Sequence, residues 1–96
     1  MELNEALGLV IKNLRNLKGL PQEGLGPSQS YISAIERGKW KPSIEKVEQI
    51  AEVVGIHPLT LLVLAYQRQT PGLKPDELLK KIQREIMSLK GSLSPE

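Results

Sequence analysis

Residues that start and stop helices recur along this chain at intervals too short for any long element, and that punctuation constrains its fold most. Ser28 and Gly38 bracket one segment, Ser43 and Gly55 the next, and His57-Pro58 opens a third. Serine satisfies free amides at a helix start, proline is tolerated in a first turn, and glycine takes the left-handed turn at a helix end. Between the brackets apolar residues recur at three- and four-residue steps, and no run alternates at period two as a strand would. The chain is therefore expected to be all-α. The expected architecture is a compact five-helix domain over residues 1–69, a linker over 70–75, one C-terminal helix over 76–90 and a disordered tail over 91–96.

The first helix is predicted from about Glu5 to Lys18, with Asn4 as its N-cap and Gly19 as its stop. Leu3, Leu7, Val10, Leu14 and Leu17 form one apolar stripe, which Ala6 and Ile11 widen. A very short second helix is predicted over Pro21 to about Leu25, because Gly24, Gly26 and Pro27 halt it. The third follows the cap Ser28. The fourth carries Ile44, Val47, Ile50, Ala51 and Val54 inward. The fifth runs from Pro58 to about Gln69 and is apolar nearly all round, at Leu59, Leu61, Leu62, Val63, Leu64, Ala65 and Tyr66. A helix with no wet side needs a second partner, from another segment or another subunit. After the turn-rich stretch from Thr70 to Pro75, the last helix carries Leu78, Leu79, Ile82, Ile86 and Leu89 on one stripe.

Composition narrows the function classes. With no Phe and one Trp, the core must come from Leu, Ile, Val and Ala. No cysteine means no disulfide, thiolate metal site or thiol nucleophile, which fits a reducing compartment, and a cytoplasmic location is expected. No basic stretch followed by an apolar run opens the chain, so no secretory signal is expected. The longest apolar run, Leu61 to Tyr66, is far too short to span a bilayer. His57 is the sole histidine, so neither a metal site nor a catalytic one is expected, and it reads as a helix-start residue. No Ser/His/Asp set, phosphate-cradling loop or paired carboxylates stand out. No enzyme and no cofactor are expected.

Bulk charge says little, because up to Pro58 seven Lys or Arg face seven Asp or Glu. Placement says more: Arg37-Gly38-Lys39-Trp40-Lys41 puts three cations in five residues directly after the third helix. That helix keeps Gln29, Ser30 and Ser33 outward and Ile32 and Ile35 inward. Small polar groups outside, followed at once by cations, suit insertion into a DNA major groove. Gln29 can bond adenine N6 and N7 together, or be an ordinary solvated glutamine. Ser30 and Ser33 can reach a base edge or a phosphate. Ala34 is placed to touch a thymine methyl, or is a plain surface alanine. Lys39 and Lys41 are phosphate candidates, as is Ser43 at the start of the fourth helix. Trp40 either covers a deoxyribose or lies over neighbouring helices.

Leu7, Ile11, Leu14, Arg15, Gly19, Leu20, Gln22, Glu23 and Leu25 begin a longer pattern. Ser28-x-Ser30-Tyr31-Ile32-Ser33-x-Ile35-Glu36-Arg37-Gly38, Pro42-Ser43, Ile50-Ala51 and Gly55 complete it. The pattern resembles the phage-repressor-like (Cro/CI-type, XRE) helix-turn-helix family over about residues 3–65. The resemblance implies a repressor-like helix-turn-helix domain that binds double-stranded DNA and regulates transcription. It further implies that Gln22 meets a phosphate, that the Tyr31 ring packs while its hydroxyl reaches a phosphate, and that Arg15 and Glu36 form a buried ion pair. One departure stands out. Family members usually have about four more residues between the positions of Leu25 and Ser28, roughly one helical turn. Here Gly26-Pro27 does that work.

A dimer reading an inverted repeat is the expected form, most simply as a repressor, with Leu61, Leu62, Leu64, Leu78, Ile82, Ile86 and Leu89 at the interface; the last helix either serves that dimer or folds back on its own subunit and leaves a monomer. The alternative is a helical interaction module, antitoxin-like or partner-docking, that no longer binds DNA. Phage, restriction-modification and antitoxin contexts fit equally.

Overall fold

The computed structural model describes residues 1–92 and contains helices and turns with no strand among them. Helix α1 spans Leu3–Leu17, a single 3-10 turn spans Gln22–Leu25, and α2 spans Gln29–Glu36. They are followed by α3 over Ile44–Val54, α4 over Pro58–Gln69 and α5 over Pro75–Leu89. The expected tail lies mostly in residues 93–96, outside the described residues.

The caps do what their chemistry predicts. Ser28 Oγ accepts from the amide of Tyr31 at 3.1 Å, Ser43 Oγ accepts from Lys46 at 3.1 Å, and His57 Nδ1 accepts from Leu59 at 3.0 Å. Each satisfies one of the free donors that open a helix. Gly55 takes φ 89° after α3. The first helix differs from expectation. It starts earlier, because the Glu2 amide donates to Glu5 Oε1 at 2.8 Å, and Asn4 is not its cap.

Ile11, Ile32, Ile35, Ile50 and Leu61 are fully buried and mark the centre of the core, where α1 lies along α4 and against α2. Three apolar positions depart from the expected stripes. Leu17 is 78% exposed, since burial in α1 ends with Ile11 and only Leu14 adds partial packing beyond it. Ile44, at the first position of α3, is 82% exposed. Leu61, expected at a subunit interface, is 0% exposed within its own chain and cannot face a partner. Leu64 is half-buried against the same core, and Leu62 is half-buried too. Helix α5 buries nothing: Leu78 and Ile82 are partly covered, while Leu79, Ile86, Met87 and Leu89 are exposed.

Gly8 sets the approach of α1 to the end of α2. A Cβ there would overlap the carbonyl oxygen of Ile35 and crowd that of Glu36. Both obstacles are backbone, so neither can swing aside. Gly8→Ala should therefore destabilise the fold by about 1–3 kcal/mol, the usual cost of overpacking. A urea midpoint equal to that of the parent chain would contradict so close an approach.

Candidate nucleic-acid interface

Beneath the candidate interface lies a buried ion pair. Arg15 Nε donates to Glu36 Oε2 at 2.6 Å and Arg15 Nη2 to Glu36 Oε1 at 3.1 Å. Arg15 Nη1 also donates to the carbonyl of Leu20 at 2.9 Å, and Gln22 Nε2 donates to Glu36 Oε1 at 3.0 Å. The fork of a guanidinium matches a carboxylate in this two-bond geometry. The hydrogen bond to Glu36 holds the Arg15 pKa above its ordinary value, burial opposes it, and the charges of Glu36 and Glu23 add to the rise. The expected pairing of Arg15 and Glu36 is present in the structure. Gln22, expected at a phosphate, spends its side-chain amide inside this network. The network pins the far end of α2 to α1 and to the 3-10 turn.

The near end of α2 is open. Gln29 and Ser30 are exposed and Ser33 is half-exposed, so these three share the outer side of the helix. Ala34 does not join them. It is 9% exposed, because the chain after α2 curls back and the Lys39 amide donates to the Ala34 carbonyl at 2.9 Å. That turn passes through Gly38 at φ 75°, where a side chain would be strained and a Cβ would press on Glu5. Asn4 Nδ2 donates to the Gly38 carbonyl at 2.7 Å, which ties the turn to the start of α1.

The cationic loop returns to the open face through aromatic contact. Trp40 and Tyr31 meet edge to face, with ring centroids 5.5 Å apart and planes at 74°. Tyr31 is in the first turn of α2, so this contact keeps segment 39–41 against that turn. Lys39 and Lys41 flank Trp40 and are exposed. Lys46 Nζ lies 5.5 Å from the centre of the Tyr31 ring and also donates to Gln49 Oε1 at 2.8 Å. The Tyr31 ring thus packs partly on the core and partly under Trp40 and Lys46. Ser43 is exposed beside them and caps α3. Sequence reasoning missed Lys46 and the Asn4 tether. Lys46 stands one helical turn after the cap Ser43, and that spacing was the available signal.

A short helix offering amide and hydroxyl groups beside an exposed cationic loop, held by a buried pair behind it, defines a helix-turn-helix DNA-binding unit. A family model for the helix-turn-helix matches residues 11–61, over half of the chain, and the chain belongs to that family, in its phage-repressor-like (XRE) branch. It is similar to the HTH-type transcriptional regulator y4dJ of Sinorhizobium fredii, 32% identical over 66 residues, 65% of this chain and 86% of that one. It is also similar to a hypothetical transcription factor of Neisseria meningitidis serogroup B, 30% identical over 71 residues, 70% of this chain and 67% of the relative. Among solved structures, the clp gene regulator ClgR of Corynebacterium glutamicum is 28% identical with a TM-score of 0.66, over 71% of this chain and 92% of that one. A second ClgR structure, 24% identical, covers 97% of this chain and 96% of its own at a TM-score of 0.65, a likeness of fold. The protein is a DNA-binding transcriptional regulator.

Glu36→Ala would strand a buried guanidinium and should cost about 3–5 kcal/mol of stability. Gln22→Ala removes one donor to the Glu36 carboxylate, which keeps its two bonds from Arg15, and should cost less, about 1.5–3 kcal/mol. Denaturant unfolding of both variants checks the order. Equal losses would mean that the ion pair is not the dominant bond of the network.

Proposed function

We propose that the protein is a homodimeric, sequence-specific regulator that reads an inverted repeat in double-stranded DNA. Each subunit presents α2 to a major groove, and the two grooves lie about 34 Å apart on one side of the duplex. Gln29 makes the base contact of highest discrimination, with Ser30 and Ser33 beside it. Lys39 and Lys41 meet phosphates, Ser43 meets one at the start of α3, and the Tyr31 hydroxyl and Trp40 close on the backbone. Lys46 joins this set, while Ala34 and the Gln22 side chain leave it. Subunits pair through the apolar residues of α5, with Leu62 of α4 contributing. Repression is the simplest output, since occupying a promoter requires binding and nothing more. The protein would act in the cytoplasm, where its operators are.

The observation that supports this reading most is the Trp40–Tyr31 contact, which brings exposed cations alongside exposed Gln29 and Ser30. It also supplies a probe. Trp40 is the sole tryptophan, so its emission should change when duplex DNA is added. Titrating a random duplex at two salt concentrations should show affinity falling steeply with salt. Lys39→Ala should reduce the slope of log K against log salt by about one unit. Absence of binding at low salt would instead favour a protein-interaction module.

Selection of bound sites from a random duplex library should return two half-sites about 10–10.5 base pairs apart, centre to centre. Gln29→Ala should lose about 1–3 kcal/mol of discrimination at one base pair per half-site and leave the salt slope unchanged. Uniform weakening across all sequences would move Gln29 to the phosphate-contacting group.

A further inference from the structure

The apolar residues of α5 keep a spacing of their own. Leu79, Ile82, Ile86 and Leu89 step by three, four and three residues, the first and fourth places of a seven-residue repeat. They fall within about 80° of one another around the helix, a narrow stripe of the kind that makes a seam between two helices. Among the described residues no other helix packs along this stripe. Leu78 and Ile82 are partly covered, while Leu79, Ile86 and Leu89 are 52%, 61% and 48% exposed.

The charged residues sort around the stripe. Only Glu85 and Lys90 stand within about 80° of its middle, one on each flank. Asp76, Glu77, Lys80, Lys81 and Arg84 lie farther round, and Lys74 precedes the helix. Lys90 follows Leu89 with φ −56° and ψ −41°, so it continues the helical turn. Five residues apart, Glu85 and Lys90 are about 140° from each other around the helix and do not meet within it. Neither has an ion-pair partner among the described residues.

An identical helix running the same way brings them together. In a parallel pair in register each seam residue faces its own copy, and Glu85 of one helix faces the flank residue five places on in the other, Lys90. An antiparallel pair that matches Leu79 with Leu89 and Ile82 with Ile86 instead sets Glu85 against Glu85, a like-charge contact. The apolar residues alone do not choose the number of strands, since Ile86 with Leu89 favours two and Leu79 with Ile82 favours more. The two half-sites of the proposed reading do.

Resting on the dimer proposed above, we infer that α5 joins the subunits as a parallel, in-register helix pair, with Leu79 to Leu89 as its seam and Glu85 of each copy beside Lys90 of the other. Both DNA-binding domains then lie at the same end of the pair. Two repeats make a short seam, so the dimer should dissociate on dilution. Pro75 at the helix start and Asp76 and Glu77 in its first turn favour the helix before pairing.

The chain has no cysteine, so single introduced thiols report the geometry without interference. Facing seam positions should be close enough for a disulfide. On the full chain in a glutathione redox buffer, Leu89→Cys should form a linked dimer, and Arg84→Cys, on the outer side, should not. In an equimolar mixture of Leu79→Cys and Leu89→Cys, one tagged so that the products differ in mass, each should link mainly to itself. Light scattering over a dilution series supplies the second readout. Glu85→Lys and Lys90→Glu, both exposed and checked for helix content by circular dichroism, should each raise the dimer dissociation constant roughly tenfold. Mixing these two should restore the parent value, because each copy then meets opposite charge at both contacts. Preferential linkage of Leu79→Cys to Leu89→Cys would overturn the parallel arrangement while leaving the dimer standing. A dimeric parent whose Leu89→Cys variant links no better than Arg84→Cys would move the interface off α5. A parent that is monomeric throughout the dilution series would remove the dimer reading, and this pairing with it.

Discussion

The Arg15–Glu36 pair is the constraint on which the presentation of α2 depends. A charge removed from water is tolerated only when its partner and its remaining hydrogen-bonding positions are supplied. Here Glu36 accepts from Arg15 with both oxygens and from Gln22 with one, while Arg15 also reaches the carbonyl of Leu20. Three separate stretches of chain therefore have to arrive together before either charge can be buried. The apolar packing of Ile32, Ile35 and Ile11 is non-directional in itself, whereas the forked ion pair is directional and helps to fix the rotation of α2 about its own axis.

That rotation matters because the element before α2 is so short. A longer helix would brace α2 along its length, whereas the 3-10 turn offers one buried side chain, Leu25, and one polar one, Gln22. Leu25 anchors the turn in the core, and Gln22 ties it to the ion pair. The link between them and Ser28 is extended at Gly26, where a side chain would collide with Ile32. So the missing turn is offset by a polar bond from Gln22, and the residue that the resemblance would send to a phosphate is retained for the fold.

The sequence made the helices legible because their ends are written in local chemistry: Ser28, Ser43, His57-Pro58, Gly38 and Gly55 each act within one turn of themselves. The ion pair was legible through the family pattern, and the outward side of Gln29, Ser30 and Ser33 through periodicity. What was hidden depends on contacts between segments distant in sequence. Ala34 has an outward position on a helical wheel and is covered because the chain turns back after Gly38. Leu61 sits in a run apolar on every side, where periodicity gives no direction, so its burial is decided by where α1 lies. Asn4 looks like a cap, yet Glu2 and Glu5 start the helix and free Asn4 to hold the Gly38 turn. Gly8 sends no signal at all in a stripe of leucines and valines, although the close approach of α1 to α2 requires it.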